Sequence, residues 1–343
     1  MSKIKPAKGA PHARILGVGG YRPVRVVPNE VILEKIDSSD EWIRSRSGIE
    51  TRHWANDEET VAAMSIEAAG KAIADAGIAA EQIGAVVVST VSHFSQTPAI
   101  ATEIADKLGT NKAAAFDISA GCAGFGYGLT LAKGMIVDGS AEYALVIGVE
   151  RLSDLTDLED RSTAFLFGDG AGAVVVGPAQ EPGIGPTVWG SEGDKAETIR
   201  QTVPWNDFHV GDVSRLPLDS AGNIKFPAIT QEGQAVFRWA VFEMAKVAQQ
   251  ALDAAGISPD ELDVFIPHQA NVRIIDSMVK TLKLPEHVTV ARDIRTTGNT
   301  SAASIPLAME RLLATGEAKS GDTALVIGFG AGLVYAATVV TLP

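Results

Sequence analysis

The chain has 343 residues, 46% of them hydrophobic, and a formal charge of −13. That is enough apolar material for one large core or two smaller ones, and a net charge of this sign repels nucleic acid. A single cysteine excludes an internal disulfide and fits a reducing compartment.

Residues 1–13 are basic, lack the apolar stretch of a signal peptide and are expected to form a flexible leader. RILGVGG (14–20) predicts a first strand and turn, and 29–36 a helix. SSDEWIRSRSGIETRHW then reads as a polar segment. Small and apolar residues at helical spacing predict a helix over 60–76, stopped by Gly77. AVVVST (85–90) reads as a strand buried on both faces, and 98–108 as a helix. The stretch FDISAGCAGFGYG (116–128) follows. An apolar run, 113–118, enters it and a helix-like run, 128–137, leaves it, so Cys122 sits where a strand turns into a helix. A helix N-terminus favours thiolate over thiol.

Residues 143–149 predict another buried strand, and FGDGAGAVVV (167–176) a structural turn leading into a strand. The polar stretch 178–227 has the least regular pattern. Apolar spacing predicts one long helix over 231–255, stopped by Gly256. A short strand, 264–267, runs into HQANVRI, then a helix over 274–282 and an extended stretch, 287–291. TTGNTSAASIP opens a helix reaching about Ala314, and strands at 323–329 and 333–342 flank the turn GAG. No run approaches the ~20 apolar residues of a membrane helix. The six His are scattered, without HExxH or CxxC spacing for a metal.

Strands alternating with helices imply an α/β fold. The chain also repeats itself. KAIADAGIAAEQIGAVVVS (71–89) parallels QQALDAAGISPDELDVFIPH (249–268), with Gly77 set on Gly256, and ALVIG occurs at both 144–148 and 324–328. Two matches at nearly one offset argue for two similar halves, 14–178 and 179–343, joined where Gly177-Pro178 and Pro182-Gly183 punctuate the chain. In each half the ALVIG strand follows a strand–turn–helix unit. One unit carries Cys122 and the other Asn299, so the two turns should face one another across a pseudo-twofold axis. The aligned strands end at Ser89 and at His268, which brings His268 towards the same place.

Cys with His and Asn suggests covalent acyl chemistry. In one form His deprotonates Cys, as in papain-like enzymes. In the other, a decarboxylating condensation, Cys holds an acyl group while His and Asn donate to a developing enolate. A fold of two similar α/β halves favours the second by analogy.

DISAGCAGFGYG, HQANVRI, GNTSAASIP, FGDGAGA and the terminal GFGAG, in this order from about Arg14 to Pro343, resemble β-ketoacyl-acyl carrier protein synthase III of the thiolase-like superfamily. The resemblance implies a duplicated five-layer αβαβα sandwich and a cytoplasmic homodimer. It also implies an initiating decarboxylative condensation of a short acyl-CoA with malonyl-acyl carrier protein, without metal or redox cofactor. Cys122 matches the nucleophile, His268 the histidine of HQAN, and Asn299 the asparagine of GNTSA. The Cys122 and Ala331 backbone N–H groups match the oxyanion hole. Trp42, Arg46 and Arg161 match CoA-binding positions, and Asn271 is expected against the pantetheine arm. Arg238, Arg273 and Lys280, with Lys283 close by, are expected to form the basic surface for an acidic carrier protein. In members restricted to acetyl starters the position of Thr97, which closes the acyl pocket across the dimer, is often Phe. The smaller Thr97 implies room for branched starters such as isobutyryl-CoA. A polyketide-priming relative and a catalytically silent carrier-binding subunit are the alternatives. Hydroxymethylglutaryl-CoA synthases add a catalytic Glu that the sequence alone does not locate.

Overall fold

Two five-stranded sheets with one strand order carry the fold. In the computed structural model, which describes residues 4–5, 7–110, 112–210, 216–219 and 221–343 (without the side chains of 208–210), the first sheet comprises β1 (His12–Tyr21), β2 (Ile83–Ser89), β3 (Ala114–Ile118), β4 (Tyr143–Arg151) and β5 (Asp169–Ala179). The second comprises β6 (Val188–Gly190), β7 (Val264–Pro267), β8 (Thr289–Val290), β9 (Thr323–Gly330) and β10 (Val334–Thr341). The spatial orders are 1-5-4-2-3 and 6-10-9-7-8, the same permutation. In each, the first two pairings are antiparallel and the last two parallel. The duplication read from ALVIG is therefore one of topology: Ala144–Gly148 lies in β4 and Ala324–Gly328 in β9, the middle strand of each sheet.

Helices cover both faces of both sheets. α1 (Val61–Ala76) and α2 (Ile100–Leu108) pack outside the first sheet. α3 (Gly124–Asp138) lies between the sheets; α4 (Ala245–Ala255) and α5 (Val272–Leu282) cover the second. α6 (Ser304–Thr315) is the other central helix. The result is a five-layer αβαβα sandwich, as expected. In the central layer Phe125, Leu129, Ile305 and Met309 are buried with Val146 and Val326, and each buried side chain of this size contributes roughly 1.5–3 kcal/mol. α3 passes close to both sheets because Gly124 and Gly126 carry no Cβ; one at Gly124 would strike Ser89 Oγ, and one at Gly126 would lie 2.8 Å from Ala336 Cβ.

Local signals set the element ends. Thr60 caps α1 by accepting from the Ala63 N–H, and Gly77, at φ 66°, closes it; Gly256, at φ 70°, closes α4 in the same way. Four expectations need correction. β1 starts at His12, paired with Ala179, and the Ala10 N–H donates to Ile136 O (3.1 Å), so residues 10–13 are packed backbone rather than leader; residues 1–3 and 6 lie outside the described residues. The polar segment after Ser38 contains a helix, Asp40–Ser47, capped by Ser39. The helix expected over 231–255 begins at Gly233 and has a π-turn, Ala240–Met244, before α4. The irregular stretch holds β6 and the strand Ile199–Gln201, which pairs with Ile229–Gln231 just beyond it; residues 211–215 and 220 are not described.

Candidate active site

β3 delivers Cys122 to the centre of the molecule. After β3 the chain makes a 3₁₀ turn, Gly121–Ala123, and enters α3. Gly121 has φ 47°, a conformation glycine adopts without strain. The matching turn of the second half, Ser301–Ala303, enters α6, and there Ser301 has φ 48°. Between the two turns comes the end of β9. A Cβ on Gly330 would lie 2.7 Å from Cys122 N and 3.1 Å from Sγ, and one on Gly121 would lie 3.3 Å from Ala331 N. Two glycines thus bring the Cys122 and Ala331 backbone nitrogens beside the sulfur.

The thiol does not have the low pKa the sequence suggests. Burial pushes it up to about 12, the negative charge of Glu150 acts in the same direction, and a Ser301 hydrogen bond opposes them. The helix N-terminus is a local effect, and here desolvation outweighs it. Although Cys122 is partly exposed to the cavity, it is a thiol at rest and must lose its proton as it reacts.

His268 follows β7 and is buried; burial lowers its pKa to about 3, so the ring is neutral at any working pH. Ser304 Oγ lies 2.7 Å from Nδ1 and accepts from the Gln269 N–H (3.3 Å). With the hydroxyl hydrogen on Nδ1, the imidazole proton sits on Nε2 and that nitrogen is the donor. Phe329 holds the ring edge-on at 5.3 Å. Asn299 Oδ1 accepts from the Ser301 N–H (2.9 Å), leaving Nδ2 as its donor, and its backbone is tied to Leu166 and Gly168. Asp169 of the FGDGAG turn accepts from the Ala55 N–H and the Ser153 N–H and hydroxyl, a structural clamp beneath that strand.

Cys122, His268, Asn299 and Ala331 line one cavity of about 1500 Å³, together with Trp42, Arg46, Thr97, Arg238, Asn271 and Arg273. Arg161 and Lys280 do not line it. Arg161 places its guanidinium 5.1 Å above the Trp42 ring, and Arg46 stands 5.9 Å from the same ring. Asn271 caps α5 through the Arg273 N–H (2.8 Å) and donates Nδ2 to Arg46 O (2.9 Å), so it also joins α5 to the Trp42 helix. Arg273 lies over Phe237 at 4.9 Å, and Arg273, Lys280, Lys283 and Arg238 are all exposed.

Sequence reading missed Ser304, Phe329, Ser301 and Glu150. The two serines stand inside GNTSAAS without any spacing that marks a role. Glu150 reads as an ordinary charge at a strand end, yet it is fully buried. Among the described residues no group of three or more His, Cys, Asp or Glu is placed to hold a metal, and no helix is long and apolar enough to cross a membrane. A nucleophile beside two backbone N–H groups, with two neutral donors across the cavity, suits acyl transfer followed by stabilisation of an enolate.

Comparison with known proteins agrees. Residues 116–193 match the family model of 3-oxoacyl-[acyl-carrier-protein] synthase III, and residues 252–342 match the model of its C-terminal part. Over 343 residues, the whole of both chains, this chain is 91% identical to a β-ketoacyl-[acyl-carrier-protein] synthase III 1 of Streptomyces coelicolor. Its fold is similar to that of the priming β-ketosynthase from the R1128 polyketide biosynthetic pathway, with a TM-score of 0.94, 44% identity and coverage of 100% of this chain and 99% of that one. It is also similar to 3-oxoacyl-[acyl-carrier-protein] synthase III from Aquifex aeolicus, with a TM-score of 0.84, 37% identity and coverage of 96% and 99%.

Proposed function

The chain belongs to the β-ketoacyl-[acyl-carrier-protein] synthase III family, and from that premise we propose how its own residues run the reaction. It is a condensing acyltransferase of fatty acid synthesis that yields a 3-oxoacyl-acyl carrier protein. In our reading Cys122 attacks a short acyl-CoA, the Cys122 and Ala331 N–H groups hold the oxyanion, and CoA leaves. Malonyl-acyl carrier protein then enters and loses CO2. His268 Nε2–H and Asn299 Nδ2 donate to the enolate oxygen, and the enolate carbon attacks acyl-Cys122. Ping-pong kinetics follow. No step calls on a metal or redox cofactor.

The observation that carries this reading is that Cys122, His268 and Asn299 line one cavity, where His268 Nε2 and Asn299 Nδ2 have no hydrogen-bond partner among the described residues. Trp42, Arg46 and Arg161 take the CoA nucleotide and Asn271 borders the pantetheine arm. Arg238, Arg273 and Lys280 receive the acidic carrier, a local patch on a chain of net charge −13. Among the described residues β3 pairs on one side only, and we place the homodimer contact of this cytoplasmic enzyme along that edge. A polyketide-priming role draws only on the 44% identical neighbour.

Incubation with acetyl-CoA or isobutyryl-CoA, followed by intact-protein mass measurement and peptide mapping, tests the reading. A gain of one acyl group on the Cys122 peptide is expected; no gain with either donor, or a gain elsewhere, would overturn it. Thr97 borders the cavity and is exposed. Thr97→Phe is expected to cut the rate with isobutyryl-CoA by about tenfold while sparing acetyl-CoA, the size of a pocket steric effect. An unchanged starter profile would remove Thr97 from the acyl pocket.

A further inference from the structure

Arg52, in the short strand Thr51–Trp54, is fully buried and does not line the cavity. Its guanidinium donates to three neutral oxygens. Nη1 reaches Val27 O (3.1 Å), and Nη2 reaches Asn29 Oδ1 (2.6 Å) and Phe165 O (3.0 Å). Nε is buried without a hydrogen-bond partner among the described residues. Burial draws the group down to about 10, so it is charged at neutral pH. A buried charge held by neutral partners is costly, and an apolar side chain of similar volume is often as stable in such a place. Stability alone therefore does not explain an arginine here.

Two of the three oxygens belong to the parts that place Trp42. Phe165 sets its ring edge-on to the Trp42 indole, with centroids 5.5 Å apart and planes at 85°. The same run of turns, 161–166, begins with Arg161, whose guanidinium stands 5.1 Å from that indole. Asn29 handles the other side. Its Nδ2 donates to Asp40 Oδ1 (2.7 Å), at the start of the helix Asp40–Ser47, and to Ile49 O (3.0 Å), just past its end. An arginine can only donate, so Arg52 draws the Asn29 oxygen to itself and turns the amide nitrogen to the helix. Trp42 and Arg46 stand on that helix. One planar guanidinium thus ties the helix bearing Trp42 to the turn bearing Phe165.

We propose that Arg52 is the positioning residue of the CoA nucleotide site, holding the Trp42 helix and the Phe165 turn in register from beneath. The inference rests on Trp42, Arg46 and Arg161 taking the nucleotide. Arg52 works through those groups and meets no reacting atom. Its stem has a separate contact. A Cβ on Gly298 would lie 2.9 Å from Arg52 Cβ and one on Gly168 3.3 Å, and the Gly168 N–H donates to Asn299 O (3.0 Å). A substitute that keeps the unbranched stem leaves this packing beside Asn299 in place, so the effect on the nucleotide site can be read by itself.

The test compares acylation of the enzyme by acetyl-CoA and by S-acetylpantetheine, which presents the same thioester without the nucleotide. Rates come from quenched intact mass over a range of donor concentrations, in wild type, Arg52→Met and Trp42→Ala. For Arg52→Met the half-saturating acetyl-CoA concentration is expected to rise about tenfold, with the limiting rate within about twofold and acylation by S-acetylpantetheine unchanged. An arginine that served folding alone would slow both donors alike. Equal losses with both donors, or no loss with either, would overturn the positioning role. If Arg52→Met does not fold, Arg52→Lys, which keeps the charge and loses the planar fork, decides by the same criteria. Trp42→Ala separates the two failures. If it is impaired with acetyl-CoA alone and Arg52→Met is not, the role of Arg52 falls and the nucleotide site stands. If neither variant distinguishes the donors, the nucleotide site falls and the positioning role falls with it.

Discussion

A His268→Ala enzyme is expected to load an acyl group onto Cys122 at close to the wild-type rate and to condense about a hundred- to a thousandfold more slowly, the loss for one donor to a developing oxyanion. The argument rests on the state of the ring. His268 is neutral because burial lowers its pKa to about 3, and Ser304 Oγ lies against Nδ1; with the hydroxyl hydrogen on Nδ1, the group the ring offers is Nε2–H. A donor of that kind serves the enolate and does not deprotonate a thiol. The papain-like alternative makes the opposite prediction: with His268 as base for Cys122, the alanine variant would load slowly too. Measuring loading and condensation separately therefore divides the two mechanisms. His268→Gln keeps an N–H donor and should recover part of the condensation rate. The same shift bears on stability. The folded pKa lies below the ordinary 6.5, so the unfolded chain takes up a proton that the folded site refuses. This contribution is complete above pH 6.5 and is lost as the pH falls from there towards 3. Wild type should thus lose stability through this window by more than His268→Gln does, as measured by denaturant midpoints.

What could be read from the chain and what could not divide along physical lines. Gly77 and Gly256 announced helix ends because left-handed caps select glycine, a local preference written in the residue itself. The two ALVIG segments announced the duplication because both are middle strands covered on both faces, where only such sequences fit. The helix Asp40–Ser47 was missed because its charged residues hid the apolar spacing, although Ser39 followed by Asp40 and Glu41 is a start signal in retrospect. The π-turn at Ala240–Met244 leaves the apolar spacing intact and so has no sequence mark. β6 is three residues long, too short for alternation to register. At the site, the turns bearing Cys122 and Asn299 could be anticipated from the repeat, whereas the thiol's pKa could not. A helix N-terminus is visible in sequence; the burial that outweighs it comes from distant segments packed around the thiol, Gly330 of the second half among them. The same holds for Glu150, whose Oε1 is buried without a hydrogen-bond partner among the described residues, since nothing in VIGVER says which way the carboxyl folds.

Gly330→Ala is expected to reduce overall turnover by about a hundredfold or more without preventing folding. Gly330 has φ −174° and ψ −152°, extended backbone open to any residue, so conformational freedom does not explain the glycine. Space does. A Cβ there would lie 2.7 Å from Cys122 N, 3.0 Å from Cys122 Cβ and 3.1 Å from Sγ. The nearest of these atoms is backbone at the start of a buried turn, so either the turn or the end of β9 must move. Both carry a proposed oxyanion donor, Cys122 N–H on one and Ala331 N–H on the other. A shift of either spoils the pair, and the loss of one such donor costs about 10²–10³ in rate. Gly77→Ala supplies the contrast. Gly77 has φ 66° and nothing within 4 Å of its would-be Cβ. There the penalty is strain of about 1–2 kcal/mol, read as a lower melting temperature with turnover unchanged. If Gly330→Ala turned over at the wild-type rate while Gly77→Ala lost stability as expected, the backbone beside Cys122 would be more yielding than the geometry states, and the oxyanion assignment to Ala331 would fall with it.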